Sequence, residues 1–171
     1  MHWLVDGYNV IRQAPELAER ERESLEAGRR ALCRLLSTAA RASGDQFTVV
    51  FDGNREGGTG GGGGVRVVFS SGRETADRVL ARMATAGAAV VSSDREVRQA
   101  AARAHAIAIT ADQFLSRVRG GDRASGPDHA PDGAPDKDDE EVSRPPTKKG
   151  NPRRLSKKDR LAARALGRLR R

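Results

Sequence analysis

Val49-Val50-Phe51-Asp52 is an apolar run that stops on a carboxylate. The same pattern stands at Trp3-Leu4-Val5-Asp6 and, with two serines interposed, at Val90-Val91-Ser92-Ser93-Asp94. Short apolar runs bounded by turn-forming residues read as buried strands. On this basis residues 2–5, 46–51, 65–69, 88–91 and 106–109 are predicted strands. The longer amphipathic stretches 17–42, 74–86, 94–104 and 111–118 read as helices. Most connections from strand to strand pass through a helix. That alternation predicts an α/β fold, with a parallel five-stranded sheet carrying helices on both faces.

In such a sheet the strands point one way, and residues at their C-terminal ends gather on the edge where ligands bind. Asp6, Asp52 and Asp94 are predicted to converge there. Glu74 and Asp77 open the helix after the third strand at i and i+3, so they share a face and join the same edge. Carboxylates held close repel one another, which raises their pKa values, and a divalent cation relieves the repulsion. Carboxylate and water ligands suit Mg²⁺ or Mn²⁺. An ion so held can polarise a phosphodiester and activate a water, which is nuclease chemistry. No His or Cys stands at these strand ends, so zinc is not expected. Each acid also has a local explanation. Ser71-x-x-Glu74 and Ser93-x-x-Glu96 fit capping boxes, the second leaving Asp94 as a first-turn acid. Thr110-x-x-Gln113 fits a third, and Asp6-Gly7 and Asp52-Gly53 fit turns. What favours a metal site is the convergence of several acids on one edge.

The 171 residues suffice for one modest domain and an appendage, and aromatics make up 4% of them. The core is therefore built mainly of Ala, Val, Leu and Ile. Net charge is +8, which suits a polyanionic partner, nucleic acid first. The charge is segregated. Residues 1–119, the predicted domain, contain no lysine. Residues 120–150 are rich in Gly, Pro, Asp and Ser, acidic over 136–141, and predicted to be disordered for want of anything to bury. Beyond Val142, twelve Lys and Arg face one acid, Asp159. Residues 151–171 are thus a basic tail, with a possible helix over 155–169 that puts Leu155, Leu161, Ala165, Leu166 and Leu169 partly on one face. Lys148, Lys149, Arg153, Arg154, Lys157 and Lys158 of this tail are candidate RNA contacts of a mobile arm. Arg12, Arg55, Arg73, Arg78 and Arg95 stand near the acids and could fork phosphates, while Tyr8 could stack on a base. Each of these also reads as a solvated charge or a packed ring, and the tail as a solubilising one.

The run 57–64 is nearly all glycine but lacks the Lys-Ser/Thr ending of a phosphate loop, so it reads as a surface loop between strands. The single cysteine, Cys33, excludes an internal disulfide and reads as a small buried apolar residue. His2, His105 and Asp112 read as structural. No secretory signal and no apolar run near the ~20 residues of a membrane helix is visible. The expectation is a cytoplasmic protein that does not enter membranes.

Leu4-Val5-Asp6-Gly7-Tyr8-Asn9-Val10-Ile11, then Val49-Val50-Phe51-Asp52, Glu74-Thr75-Ala76-Asp77 and Ser92-Ser93-Asp94 resemble, in this order over 1–119, the YacP-like branch of the NYN domain family. That family belongs to the PIN-like nucleases. The first and third motifs are specific in combination. The resemblance implies a three-layer, Rossmann-like α/β fold and Mg²⁺- or Mn²⁺-dependent endoribonuclease activity on single-stranded RNA. One branch cleaves mRNA on translating ribosomes. Carried over by position, Asp6, Asp77 and Asp94 would bind metal and Asn9 would orient a ligand or water. Glu74 would assist the metal or the water, and Asp52 matches the family's Phe-Asp pair. Where the family has Gly-Ala before the fifth strand, this chain has Ala104-His105-Ala106, and its loop after Asp52 is glycine-rich rather than charged. The competing classes are a non-catalytic RNA- or ribosome-binding module of the same fold, and a phosphotransfer or phosphatase domain. Intact acids at Asp6, Asp77 and Asp94 argue against the first. The second needs an acid two residues after Asp6, where Tyr8 stands, or an acid pair on the first strand.

Overall fold

A computed structural model describes residues 1–53, 61–71, 73–119 and 155–169. Strands β1 (His2–Asp6), β2 (Gln46–Phe51), β4 (Val65–Phe69), β5 (Ala89–Val91) and β6 (Ile107–Ile109) form one parallel sheet in the order β4-β2-β1-β5-β6. A two-residue strand, β3 (Gly61–Gly62), pairs antiparallel with the edge of β4. The last part of the glycine run is therefore paired backbone rather than loop. Residues 57–60 of that run, Arg55, the linker 120–150, and Lys148, Lys149, Arg153 and Arg154 lie outside the described residues.

Successive strand residues point to opposite faces, and both faces are buried. Trp3, Val5, Phe47, Val49, Phe51, Ala89 and Val91 pack on one side, Leu4, Val50 and Val90 on the other. This is why the central strands read as continuous apolar runs. Helices α1 (Gly7–Arg12), α2 (Pro15–Glu23), α3 (Leu25–Ser43) and α6 (Ala111–Val118) cover the first face. Helices α4 (Ala76–Met83) and α5 (Arg95–Arg103) cover the second. Three layers result, as expected.

The differences from expectation are local. The predicted helix 17–42 is two helices. Ser24 at their junction has extended backbone (φ −167°, ψ 151°) and caps α3 by accepting from the Ala27 N–H at 3.0 Å. The two then pack closely enough that a Cβ on Gly28 would stand 3.0 Å from the Glu21 Cα. Asp6-Gly7 is no simple turn, because α1 starts there at once. The Thr110–Gln113 capping box forms. The Ser71–Glu74 box does not, for α4 is capped by Thr75.

The segment predicted as a free basic arm contains α7 (Lys157–Arg168), and it is docked. Ala162, Ala165 and Leu169 are buried with the α1–α3 core, and the Arg117 guanidinium donates to the Leu166 carbonyl at 3.1 Å. Of the residues expected to share its apolar face, Leu155 and Leu161 are exposed, 61% and 42%, whereas Ala162, not expected there, joins Ala165 and Leu169 in the core. Asp45, only 3% exposed, ties both ends of the chain together. Its carboxylate meets the Met1 ammonium at 2.6 Å, the Trp3 indole N–H at 3.0 Å and the Arg168 guanidinium at 3.5 Å. Cys33 is half-buried against the core, and burial pushes its thiol up. His2 has a partner after all, Thr48 Oγ1 at 2.9 Å. Among the described residues no helix is long and apolar enough to cross a membrane.

Two outcomes follow. Burial by itself would raise the Asp45 pKa, but the hydrogen bonds from the ammonium and Trp3, with Arg168, outweigh it and hold the carboxyl below its ordinary value. Such a group stabilises the fold above the unfolded carboxylate pKa, and that stability is lost as pH falls through the folded one. Asp45→Asn is expected to lower unfolding free energy at pH 7 by roughly 1–3 kcal/mol. The deficit against wild type should shrink toward zero in acid below pH ~3.9, as read by urea titration. His105 adopts φ 57°. Relieving that left-handed strain, His105→Gly should stabilise by up to about 1 kcal/mol; a lower Tm would refute it.

Candidate active site

Asp6 is the last residue of β1, the sheet's central strand, and the N-cap of α1. One carboxylate oxygen accepts from the Asn9 N–H at 3.2 Å and the other from the Ser92 hydroxyl at 3.0 Å. The chain can turn straight from strand into helix here because residue 7 is glycine. A Cβ on Gly7 would lie 2.2 Å from the fully buried Phe51 ring.

Ser92, fully buried at the end of the neighbouring strand, also accepts from the Asp94 N–H at 3.1 Å. Asn9 Oδ1 accepts from the Ser93 N–H at 2.8 Å. The turn 92–94 is thus fastened to the start of α1 at two points. Asp94 is itself the N-cap of α5, accepting from the Glu96 and Val97 N–H groups at 2.6 and 3.2 Å. This replaces the expected Ser93–Glu96 box. It leaves Asp94 exposed and on the cleft, because a cap must stand just outside its helix.

Asp77, exposed in the first turn of α4, and Asp52, just past β2, complete the acidic rim. Asp52 accepts from the Ser70 hydroxyl at 2.5 Å, and that hydroxyl accepts from the Gly53 N–H at 3.1 Å. Asp6, Asp52, Asp77 and Asp94 line one cleft of about 860 Å³ with Tyr8, Asn9, Arg12 and Arg29. The electrostatics match that crowding. Burial raises the Asp6 pKa, against the bonds from Asn9 and Ser92, and the charges of Asp77 and Asp94 raise it further. Asp77 is raised by burial, then by Asp94, Asp52 and Glu96.

Of the residues assigned near the acids, Glu74, Arg73, Arg78 and Arg95 fall outside this cleft. Glu74 lines an adjoining groove with Arg73 and Arg78, and its carboxylate faces Arg82 at 3.3 Å. The helix starts two residues later than expected, so Glu74 and Asp77 do not share a helix face. Asn9 lines the cleft, and its carbonyl accepts from the Ser93 N–H, which positions the acid-bearing turn. Arg95 lines a different groove, beside Lys158.

Arg29 was not foreseen. It donates to the Tyr8 hydroxyl through Nε at 2.9 Å and also through Nη2, and its guanidinium lies 5.4, 5.5 and 5.1 Å from the Tyr8, Phe51 and Phe69 rings. Arg12 sits 5.5 Å from the Tyr8 ring. Tyr8 and Arg12 are i and i+4 on α1, but nothing in the spacing announces that Arg29 joins them. Ser92 left one trace, a hydroxyl ending an otherwise apolar strand.

The donor set is all carboxylate, and it fits a hard divalent cation. Among the described residues no three His, Cys, Asp or Glu side chains close tightly around one point. Mg²⁺ is commonly held through one or two carboxylates while keeping several waters, and an open acidic cleft suits that.

The model of the YacP-like NYN domain matches residues 3–162 of this chain, past the end of α6 and into α7. Two crystal structures of Rae1 (YacP) from Bacillus subtilis, one of them a tryptophan-to-leucine variant, are similar at 27% identity. Each covers 70% of this chain and 74% of its own, with TM-scores of 0.60 for the variant and 0.56 for the other. No curated protein matches.

A divalent cation that relieves carboxylate repulsion binds only the folded state, so it should raise Tm. Saturating Mn²⁺ at a hundred times its Kd is expected to add about 2.7 kcal/mol to wild type. Asp6→Asn/Asp77→Asn should show little of this shift; an equal shift in both proteins would put the cation elsewhere.

Proposed function

The chain belongs to the YacP-like NYN domain family, and on that premise we propose that it is a divalent-metal-dependent endoribonuclease hydrolysing phosphodiester bonds of single-stranded RNA. The observation that carries the proposal is the meeting of Asp6, Asp77 and Asp94, from three separate segments, in one open cleft. NYN domains are generally nucleases that use divalent metal, so fold and donor set support the same chemistry.

In this reading Asp6, Asp77 and Asp94 hold Mg²⁺ or Mn²⁺, with Asp52 beside them. When bound, the ion would supply Lewis-acid polarisation of the phosphodiester and a more acidic water. The protein's own share is positional. Ser92 and the Asn9 backbone hold the Asp6 carboxylate in one orientation. Asn9 and Ser92 together set the place of Asp94. Ser70 sets that of Asp52. Arg12 and Arg29, on the same cleft, offer positive charge to RNA phosphates, and the Tyr8 ring offers a stacking face. Glu74, paired with Arg82, steadies the approach to α4. The finer proposal, mRNA presented by ribosomes in the cytoplasm, rests on the family resemblance alone.

The test is cleavage of labelled single-stranded RNA with Mn²⁺, beside an EDTA control and the Asp6→Asn/Asp77→Asn protein. The variant should lose on the order of 100-fold or more in rate, as when a transition-state stabiliser is removed. Undiminished cleavage by the variant would refute the assignment. RNA binding without cleavage, also on translating ribosomes, would favour a non-catalytic binding module.

A further inference from the structure

Asp94 stands on the acid cleft. The next residue, Arg95, lines a second groove of about 400 Å³ between α5, the end of β6, α6 and α7. Arg95 and Arg98 come from α5 and Lys158 from α7, some sixty positions later in the chain, with Thr110 and Gln113 between them. The one acid there, Asp159, accepts a hydrogen bond from the Ser156 hydroxyl at 2.6 Å at the start of α7. Arg95 and Lys158 are exposed. Arg98 spends one N–H on the Asp94 carbonyl at 3.3 Å, and a guanidinium carries five such donors.

Lys158 is placed there by packing. Ala162 and Ala165, one and two turns further along α7, are 7% and 3% exposed in the domain core. Arg117 and Asp45 add polar ties to Leu166 and Arg168. The helix cannot swing without exposing that face.

We propose that this groove is the track for the RNA backbone as it leaves the acid cleft, with docked α7 as its fixed basic wall rather than a mobile arm. The proposal rests on the ribonuclease reading for its polymer. The chemistry it needs is only a run of phosphates, one at the acids and the next ones against Arg95, Arg98 and Lys158. Asp94 lines the acid cleft and Arg95, its neighbour in the chain, lines the basic groove, so a strand leaving the acids would cross this one step of backbone to reach the cations.

The experiment measures affinity of the full chain for labelled single-stranded RNA across a salt series in EDTA, so that cleavage plays no part. Arg95→Gln/Arg98→Gln/Lys158→Gln is compared with Arg22→Gln/Arg41→Gln/Arg103→Gln, which removes the same charge elsewhere. The groove variant should bind roughly tenfold or more weakly and lose about two from the slope of log affinity on log salt, at ~0.7 per phosphate contact for a single strand. Equal losses in both variants, or none in the first, would overturn the track. Ala165→Gln, which disturbs docking and leaves charge alone, should also weaken binding. Unchanged affinity with α7 shown to be released would restore the mobile arm. Cleavage and affinity separate the two readings: wild type that binds through the groove and never cuts defeats the ribonuclease, whereas normal cutting with groove-independent binding defeats only the track.

Discussion

Everything at the site hangs on one constraint: Asp6 must be at once the end of the central strand and the cap of the helix that follows. A strand flanked by parallel neighbours on both sides cannot slide, because a one-residue slip would turn its core residues to the wrong face. β1 is so flanked, by β2 and β5, and its last residue is therefore fixed relative to Asp52 and to the 92–94 turn. Capping fixes the side chain as well as the backbone. With the Asn9 N–H and the Ser92 hydroxyl on its two oxygens, the carboxylate has few alternatives.

The second acid cluster principle is economy of role. Asp94 caps α5 and faces the cleft, and Thr75 caps α4 so that Asp77 falls in its first turn. The local explanations and the metal explanation therefore do not compete. A capping carboxylate stands at a helix N-terminus, and in a parallel sheet those termini follow the strand ends. The same architecture that supplies capping acids collects them; burial raises the pKa values of Asp6 and Asp77 first, and the neighbouring carboxylates raise them further. On the same cleft the cations are held by aromatic faces. Arg29 lies against Tyr8, Phe51 and Phe69.

The basic segment gains a different meaning once α7 is docked. Charge segregation alone suggests a tether, and a tether samples many positions. A helix that buries Ala162, Ala165 and Leu169 holds its cations at set places instead. The family match running to residue 162 includes the first of these alanines.

The sequence by itself determined the parallel α/β class, the five strands, and which acids stand at their ends. Those follow from short-range patterning: apolar runs of strand length, helical spacing between them, and carboxylates at the boundaries. It also carried Asp6, Asp52, Asp77 and Asp94 correctly to one edge, since topology alone sends them there. It misplaced Glu74, because a two-residue shift in where α4 begins turns that side chain toward Arg82, and helix starts are decided by competition among nearby caps. Only the tertiary structure decided that Ser92 holds Asp6, that Arg29 stacks on Tyr8, and that Lys158 and Arg95 line one groove. These pairs are separated by many residues, and their meeting depends on how helices seat on the sheet. Side-chain packing settles that seating, and no local pattern in the chain records it.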